Sequence, residues 1–131
     1  MNRPDPINEA TVIVRRENLV GPVLGRVVGM LAARADAPVD RLDDVLLVSD
    51  AIAAHGPSHA RDGAGLQVHI RTTPDTLVLR IGPLAPDGAA ALLAAADLPG
   101  VGNIVEQVSE QVTVEPSSAG EHLVILVSLS A

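Results

Sequence analysis

The sequence predicts a two-layer α/β (α+β) sandwich, with helices on one face of a mainly antiparallel sheet. Three observations carry this. Strand-like segments come in consecutive pairs, at Leu66–Gly82 and again after Val112. Two segments of helical period lie between the first strand and the first pair. The resulting order is β-α-α-β-β-(α)-α-β-β, which lacks the strict strand–helix alternation of a parallel sheet. At 131 residues the chain is one domain, large enough to bury a core without disulfide or metal staples.

Taken in order, residues 1–9 read as a loose, proline-bearing tail, and the domain is expected over residues 10–131. "ATVIVRR" (Ala10 to Arg16) is short and β-branched, which suits a strand. From Asn18, Leu19, Val20, Val23, Leu24, Val27, Val28 and Leu31 recur at steps of three and four, the period of a helix burying one stripe. Arg26 and Arg34 fall outside that stripe. Asn18 or Glu17 can serve the helix start, because a side-chain oxygen there accepts from free backbone donors. Pro22 fits only if the helix begins close to it.

"DAPVD" (Asp36 to Asp40) breaks this helix, and a second runs from about Asp40 to Ala54. Leu42, Val45, Leu46, Ser49, Ile52 and Ala53 form its inward side. Asp40, Asp43 and Asp44 lie in its first turns, where the helix dipole favours negative charge. Gly56-Pro57 stops it. "GLQVHIRTT" and "TLVLRIG" then alternate apolar and polar around Pro74-Asp75, as an antiparallel hairpin with one wet face does. An alanine-rich helical patch (Ala89 to Ala96), a further helix from Asn103 to about Gln111 and a closing hairpin with its loop at Pro116 to Gly120 complete the chain.

Composition excludes several functions. The chain has no Phe, Trp or Tyr, so the core is aliphatic and the usual aromatic platforms for stacking a nucleobase are missing. All nine basic residues are Arg; without Lys there is no P-loop lysine, Schiff base or Ser–Lys dyad. A formal charge of −7 repels nucleic-acid backbones, so no nucleic-acid partner is expected. The absence of Cys removes disulfides, thiol nucleophiles and Cys-based zinc sites. No apolar run reaches membrane-spanning length and no signal-like h-region follows the N-terminus, so no membrane partner and a cytoplasmic location are expected.

Three landmarks carry a family resemblance. The first is "RLDDVLLVSDAIAAHGPSHA", with Ser49-Asp50-Ala51 and then His59-Ala60. The second is "PGVGNIVEQVSEQVTVEP", in which Gly100-Val101-Gly102 opens a helix that leads into Val-x-Val. The third is Gly120 before the last apolar strand. In this order they resemble the anti-sigma-factor serine kinases of bacterial partner-switching systems, which have the Bergerat-type, histidine-kinase-like ATPase fold. The resemblance covers nearly the whole chain from Ala10, and rests on order and spacing rather than on any single motif.

It implies a general-base position at Asp50, where the family usually has Glu, and a phosphate-side turn at Gly100 and Gly102. The departures fall on the chemistry. Ala54 replaces the asparagine that holds magnesium in that family, and alanine offers no oxygen to a hard cation. His55, next door, points about 100° around the helix and is a poor magnesium ligand. Gly82-Pro83 stands where the family's adenine-binding Asp is expected, with Asp87-Gly88 only as a displaced relic.

The leading expectation is therefore an anti-sigma-factor-like regulator that works by protein–protein binding and is deficient in Mg-ATP. Its implied partner is a sigma factor or an anti-anti-sigma protein, and it can form a homodimer. By resemblance the contact surface includes Arg26, Arg34 and the exposed part of Asn18–Ala35. A second reading keeps it an enzyme, an ATP-dependent serine/threonine kinase using Asp50 and the Gly100–Gly102 turn. A third is a structural or scaffold domain with no ligand.

Plainer readings stand beside these. Asp50 can be a solvated acid, and Gly100–Gly102 an ordinary glycine turn. His55 and His59 have i,i+4 spacing, but Gly56-Pro57 disrupts the helix that would align them on zinc; one of them can instead bond a carbonyl at the broken helix end. His69 and Arg71, with Gln67, read as a solvated strand face. Ser58, His59 and Asp62 are too close in one loop for a triad.

Overall fold

The computed structural model describes residues 8–15, 17–61 and 65–130. The elements are β1 (Asn8–Val14), α1 (Glu17–Arg34), α2 (Val39–His55), a 3-10 turn (Pro57–His59), β2 (Leu66–Thr72), β3 (Thr76–Leu84), α3 (Gly88–Ala95), β4 (Asp97–Leu98), β5 (Gly102–Asn103), α4 (Ile104–Val108), β6 (Gln111–Ser117) and β7 (Gly120–Ser128). Five strands form one antiparallel sheet in the order β1-β2-β3-β7-β6; β4 and β5 form a separate two-residue ribbon. The helices form a second layer, so the α+β two-layer expectation holds.

Local chemistry explains the sheet. Along β2 and β3 the apolar residues alternate, and burial alternates with them: Leu66, Val68 and Ile70 face inward with Leu77, Leu79 and Ile81 beside them. The turn between these strands is held by Thr73, whose Oγ1 accepts from the Asp75 and Thr76 N–H groups at 3.3 and 3.1 Å. β7 lies between β3 and β6, pairing Leu79 with Ile125 and Val114 with Leu123. Its Leu123, Ile125 and Val127 complete the inner face.

Val20, Leu24, Val28 and Leu31 of α1 and Val45, Val48 and Ile52 of α2 close the core from the helix side. Burying each such side chain contributes about 1.5–3 kcal/mol, and no aromatic ring is needed. Three details differ from the sequence reading. Val23 is 38% exposed, because it falls with Arg26 and Met30 on the solvent stripe of α1. Val48 joins the buried side of α2, where Leu42 and Ala53 pack half-buried as expected, while Leu46 is half-buried outside the core. Pro22 lies five residues inside α1, where it leaves one backbone carbonyl without its i+4 donor. The expected cap from Asn18 or Glu17, and Leu19, involve side chains outside the described residues.

β1 begins at Asn8, two residues ahead of the expected start; the remaining tail lies outside the described residues. Among the described residues, no helix is long and apolar enough to cross a membrane.

Candidate functional site

Asp50 points outward from α2, one turn before the helix ends. It stands on the rim of a hollow of about 220 Å³ walled by Leu47, Ala51 and His55 of the same helix and by Ala96, Leu98 and Ile104 across from it. Two walls are unusually bare: Leu47 is 44% and Leu98 45% exposed. The i,i+4 spacing of Leu47 and Ala51 places both on the side of α2 facing α4. Among the described residues Asp50 is the only carboxylate in the lining, and no side-chain amide joins it. Among the described residues, no group of three or more metal-ligating side chains gathers anywhere.

The other expected site residues are scattered around this hollow. Ser49, next to Asp50, faces the core, and among the described residues its hydroxyl has no hydrogen-bond partner. Ala54 is exposed one turn beyond Asp50 and is not a wall. Gly100 and Gly102 sit at the tip of the β4–β5 ribbon, flanked by the walls Leu98 and Ile104 but not lining the hollow themselves.

Turn geometry accounts for both glycines. The Val101 N–H donates to the Leu98 carbonyl at 3.0 Å, closing a four-residue turn with Pro99 second and Gly100 third. The φ of +78° at Gly100 is what the third position of a type II turn demands. Gly102, at φ +98°, passes so close to Gln107 that a Cβ would meet Nε2 at 2.5 Å. Gln107 in turn donates to the Val101 carbonyl.

The start of α4 is also occupied from within. Asn103 Oδ1 accepts from the Glu106 N–H at 3.1 Å, while its Nδ2 donates to the Leu93 carbonyl at 2.7 Å. The helix has only five residues, not the nine expected from Asn103 to Gln111, because Ser109 turns extended and leads into β6. Little dipole accumulates over such a length.

The histidines do not converge. His55 lines the hollow, while His59 ends the 3-10 turn and its carbonyl accepts from the Ala85 N–H at 2.9 Å. The carbonyl at the broken end of α2 is bonded by the Ser58 hydroxyl at 3.2 Å, not by a histidine. Asp62 lies outside the described residues. Asp87 marks the far end of α3 from Ala96, in a left-handed conformation at φ +62°.

One residue went unnoticed in the sequence. Glu121, at the start of β7, places its carboxylate over the first turn of α3. Oε2 accepts from the Asp87 N–H at 3.3 Å and Oε1 from the Ala89 N–H at 3.2 Å. This long-range cap has no local signature, since it joins residues more than thirty positions apart.

The opposite face of the sheet carries its own charged cluster. Glu115 pairs with Arg80 at 3.2 Å. His69 Nε2 donates to Glu9 at 2.6 Å, and its Nδ1 shares a 2.7 Å hydrogen bond with the Thr11 hydroxyl. His122 has a buried Nδ1 with no hydrogen-bond partner among the described residues. Burial holds its pKa below the ordinary value, with Arg80 adding to the shift and Glu115 opposing it.

No model of a known protein family matches the chain, and no curated protein matches it either.

Proposed function

We propose that the domain is an anti-sigma-factor-like regulator that acts by binding other proteins and does not work through Mg-ATP. The observation that carries this reading is the lining of the hollow at Asp50: aliphatic walls around one carboxylate and one imidazole. Magnesium demands near-octahedral oxygen coordination, and the hollow offers it a single carboxylate. Phosphoryl transfer depends on positioning and metal electrostatics, so Asp50 alone has little to act through. The glycine turn supports the same conclusion. Its shape follows from the β4–β5 ribbon, and Gln107 and Asn103 already engage polar groups where phosphates would be received.

The surface implied for the partner is the outer stripe of α1. Val23, Arg26, Met30 and Arg34 are exposed there at helical spacing, with Met30 48% bare. A sigma factor or an anti-anti-sigma protein is the proposed partner class, on the resemblance described above.

Titration calorimetry with Mg-ATP and Mg-ADP tests the central claim, together with the melting temperature in millimolar nucleotide. The expected result is no binding heat and no rise in melting temperature. Micromolar nucleotide affinity would replace this reading with that of a serine/threonine kinase. An Ala54→Asn variant that gains nucleotide binding would mark this end of α2 as a converted ATP site.

A further inference from the structure

We propose that the hollow at Asp50 receives an arginine side chain of a partner protein, with its methylene stem on the aliphatic walls and its guanidinium on the Asp50 carboxylate. Three observations lead there. The first is where bare apolar surface lies. Of the large apolar side chains that the fold leaves exposed, Leu47 (44%), Leu98 (45%) and Val101 (54%) gather at this one place. Two of them are walls of the hollow, and the third is tied to Leu98 by the backbone hydrogen bond of the turn. Exposed aliphatic groups clustered at a concavity mark a contact surface, whereas scattered single ones do not.

The second is charge. Asp50 makes no hydrogen bond or ion pair among the described residues. No base lies three or four positions from it on α2, and the walls across the hollow are aliphatic. His55 is the other polar group of the lining, and the two do not bond each other. The rim is acidic as well. Asp43, one turn before Leu47, Asp97, beside Leu98, and Glu106, two residues after Ile104, are all exposed, and their carboxylates are unpaired among the described residues. Arg41, the one arginine of α2, is held by Asp44 and the Ser130 carbonyl, while Arg26 and Arg34 belong to α1 and line no wall. Negative charge around an apolar floor therefore stands unbalanced, and it calls for a cation.

The third is shape. An arginine lays its methylenes along apolar surface and keeps its charged head at the water's edge. The hollow has the same order of groups, aliphatic walls with a carboxylate on the rim. A guanidinium meets a carboxylate through two parallel N–H donors and is less strongly hydrated than an ammonium, which favours arginine over lysine beside aliphatic walls. Size decides between a free cation and one carried by a chain. The hollow, about 220 Å³, is smaller than the roughly 300–1,000 Å³ of small-molecule pockets. A free guanidine would also leave Val101 bare, whereas a polypeptide covers it with the residues beside its arginine.

This inference rests on the reading of the domain as a protein binder and names what its hollow takes. Nucleotide titration tests that reading; a peptide that fails to bind while Mg-ATP also fails would sink this inference alone. The probe is an acetylated pentapeptide with arginine between two leucines, titrated against the full chain and followed by the backbone amide shifts of residues 47–55 and 98–104. The expected result is a dissociation constant of about 1 mM or tighter. Replacing the arginine with citrulline, which keeps the shape and loses the charge, should weaken binding about tenfold or more. Asp50→Asn should weaken it as much, and Asp36→Asn, which removes an exposed acid between α1 and α2, should leave it unchanged. Asp50 is exposed, and an unchanged urea midpoint confirms that both variants fold. Absence of binding, equal losses in the two variants, or a citrulline peptide that binds as well would overturn the proposal. So would butylguanidinium that binds as tightly as the peptide, because the occupant would then be a small free cation. Self-association of the protein that Asp50→Asn abolishes would overturn it too, because the occupant would then be a second copy.

Discussion

The two faces of the sheet are made by the same strands and the same hydrogen bonds, yet they follow different rules. On the helix side, Leu66, Val68, Ile70, Leu77, Leu79, Ile81, Leu123, Ile125 and Val127 are all 3% exposed or less. On the other side, Gln67, His69, Arg71, Arg80 and Glu115 are interleaved with half-buried Val78, Val124 and Leu126, and among the described residues no helix covers them. The backbone ladder is common to both faces, so the difference measures what side-chain packing contributes. Stability belongs to the first face.

Paired truncations sharpen that contrast most. Leu79→Ala leaves a cavity at the centre of the core and should cost about 2–5 kcal/mol in urea unfolding. Val124→Ala, one strand away on the open face, should cost less than about 1 kcal/mol. Equal losses would mean that the open face is packed in solution.

Next comes a close approach between the neighbouring strands β3 and β7. A Cβ on Gly82 would lie 2.6 Å from His122 Cδ2 and 2.8 Å from the Glu121 carbonyl. Gly82→Ala should therefore cost about 1–3 kcal/mol through forced displacement of β7. A neutral result would show that the His122 ring moves aside freely.

Removing the Glu121 carboxylate tests whether β7 anchors the helix layer. Glu121→Ala uncovers two N–H groups at the start of α3 and should cost about 1 kcal/mol. Glu121→Gln should recover part of it.

The smallest effect is in pH. The pKa of His122 is lowered in the fold, so below the ordinary value of 6.5 the unfolded chain takes up the proton first. Its contribution is whole above that pH and is lost as pH falls toward the lower folded value. Between pH 7.5 and 5 the urea midpoint should fall more for the native chain than for His122→Gln. Parallel curves would show that the imidazole is solvated.

Much of the first face could be read from the sequence because period alone decides it. The alternation in "GLQVHIRTT" and "TLVLRIG" and the three-and-four steps of α1 and α2 placed the elements in their observed order. Errors came where one residue lies on a boundary between faces. Val23 continues the apolar period yet lies on the outer stripe, since α1 is wide enough to be apolar beyond its buried arc.

The hollow at Asp50 was legible only in part. Asp50 and its place on α2 are visible in the sequence, but Leu98 and Ile104 reach the hollow through a two-residue ribbon that has no periodic signal. The glycines beside them were visible in sequence, while their reason, a type II turn with Pro99, appears only with the φ angles. Glu121 was invisible because its partners lie more than thirty residues away.

The place of β7 in the sheet has a consequence for synthesis. β3 pairs with β2 as soon as both emerge, but its other edge is reserved for a strand that begins at Gly120. At ribosomal rates of about 5–20 residues per second, that edge waits roughly 2–7 seconds for its partner. During this time the apolar side chains of Leu77, Leu79 and Ile81 border an open row of backbone donors and acceptors, a template for wrong pairing. The nascent chain is therefore most exposed to aggregation between the completion of β3 and the arrival of β7, and a slow stretch of translation placed there would lengthen the hazard.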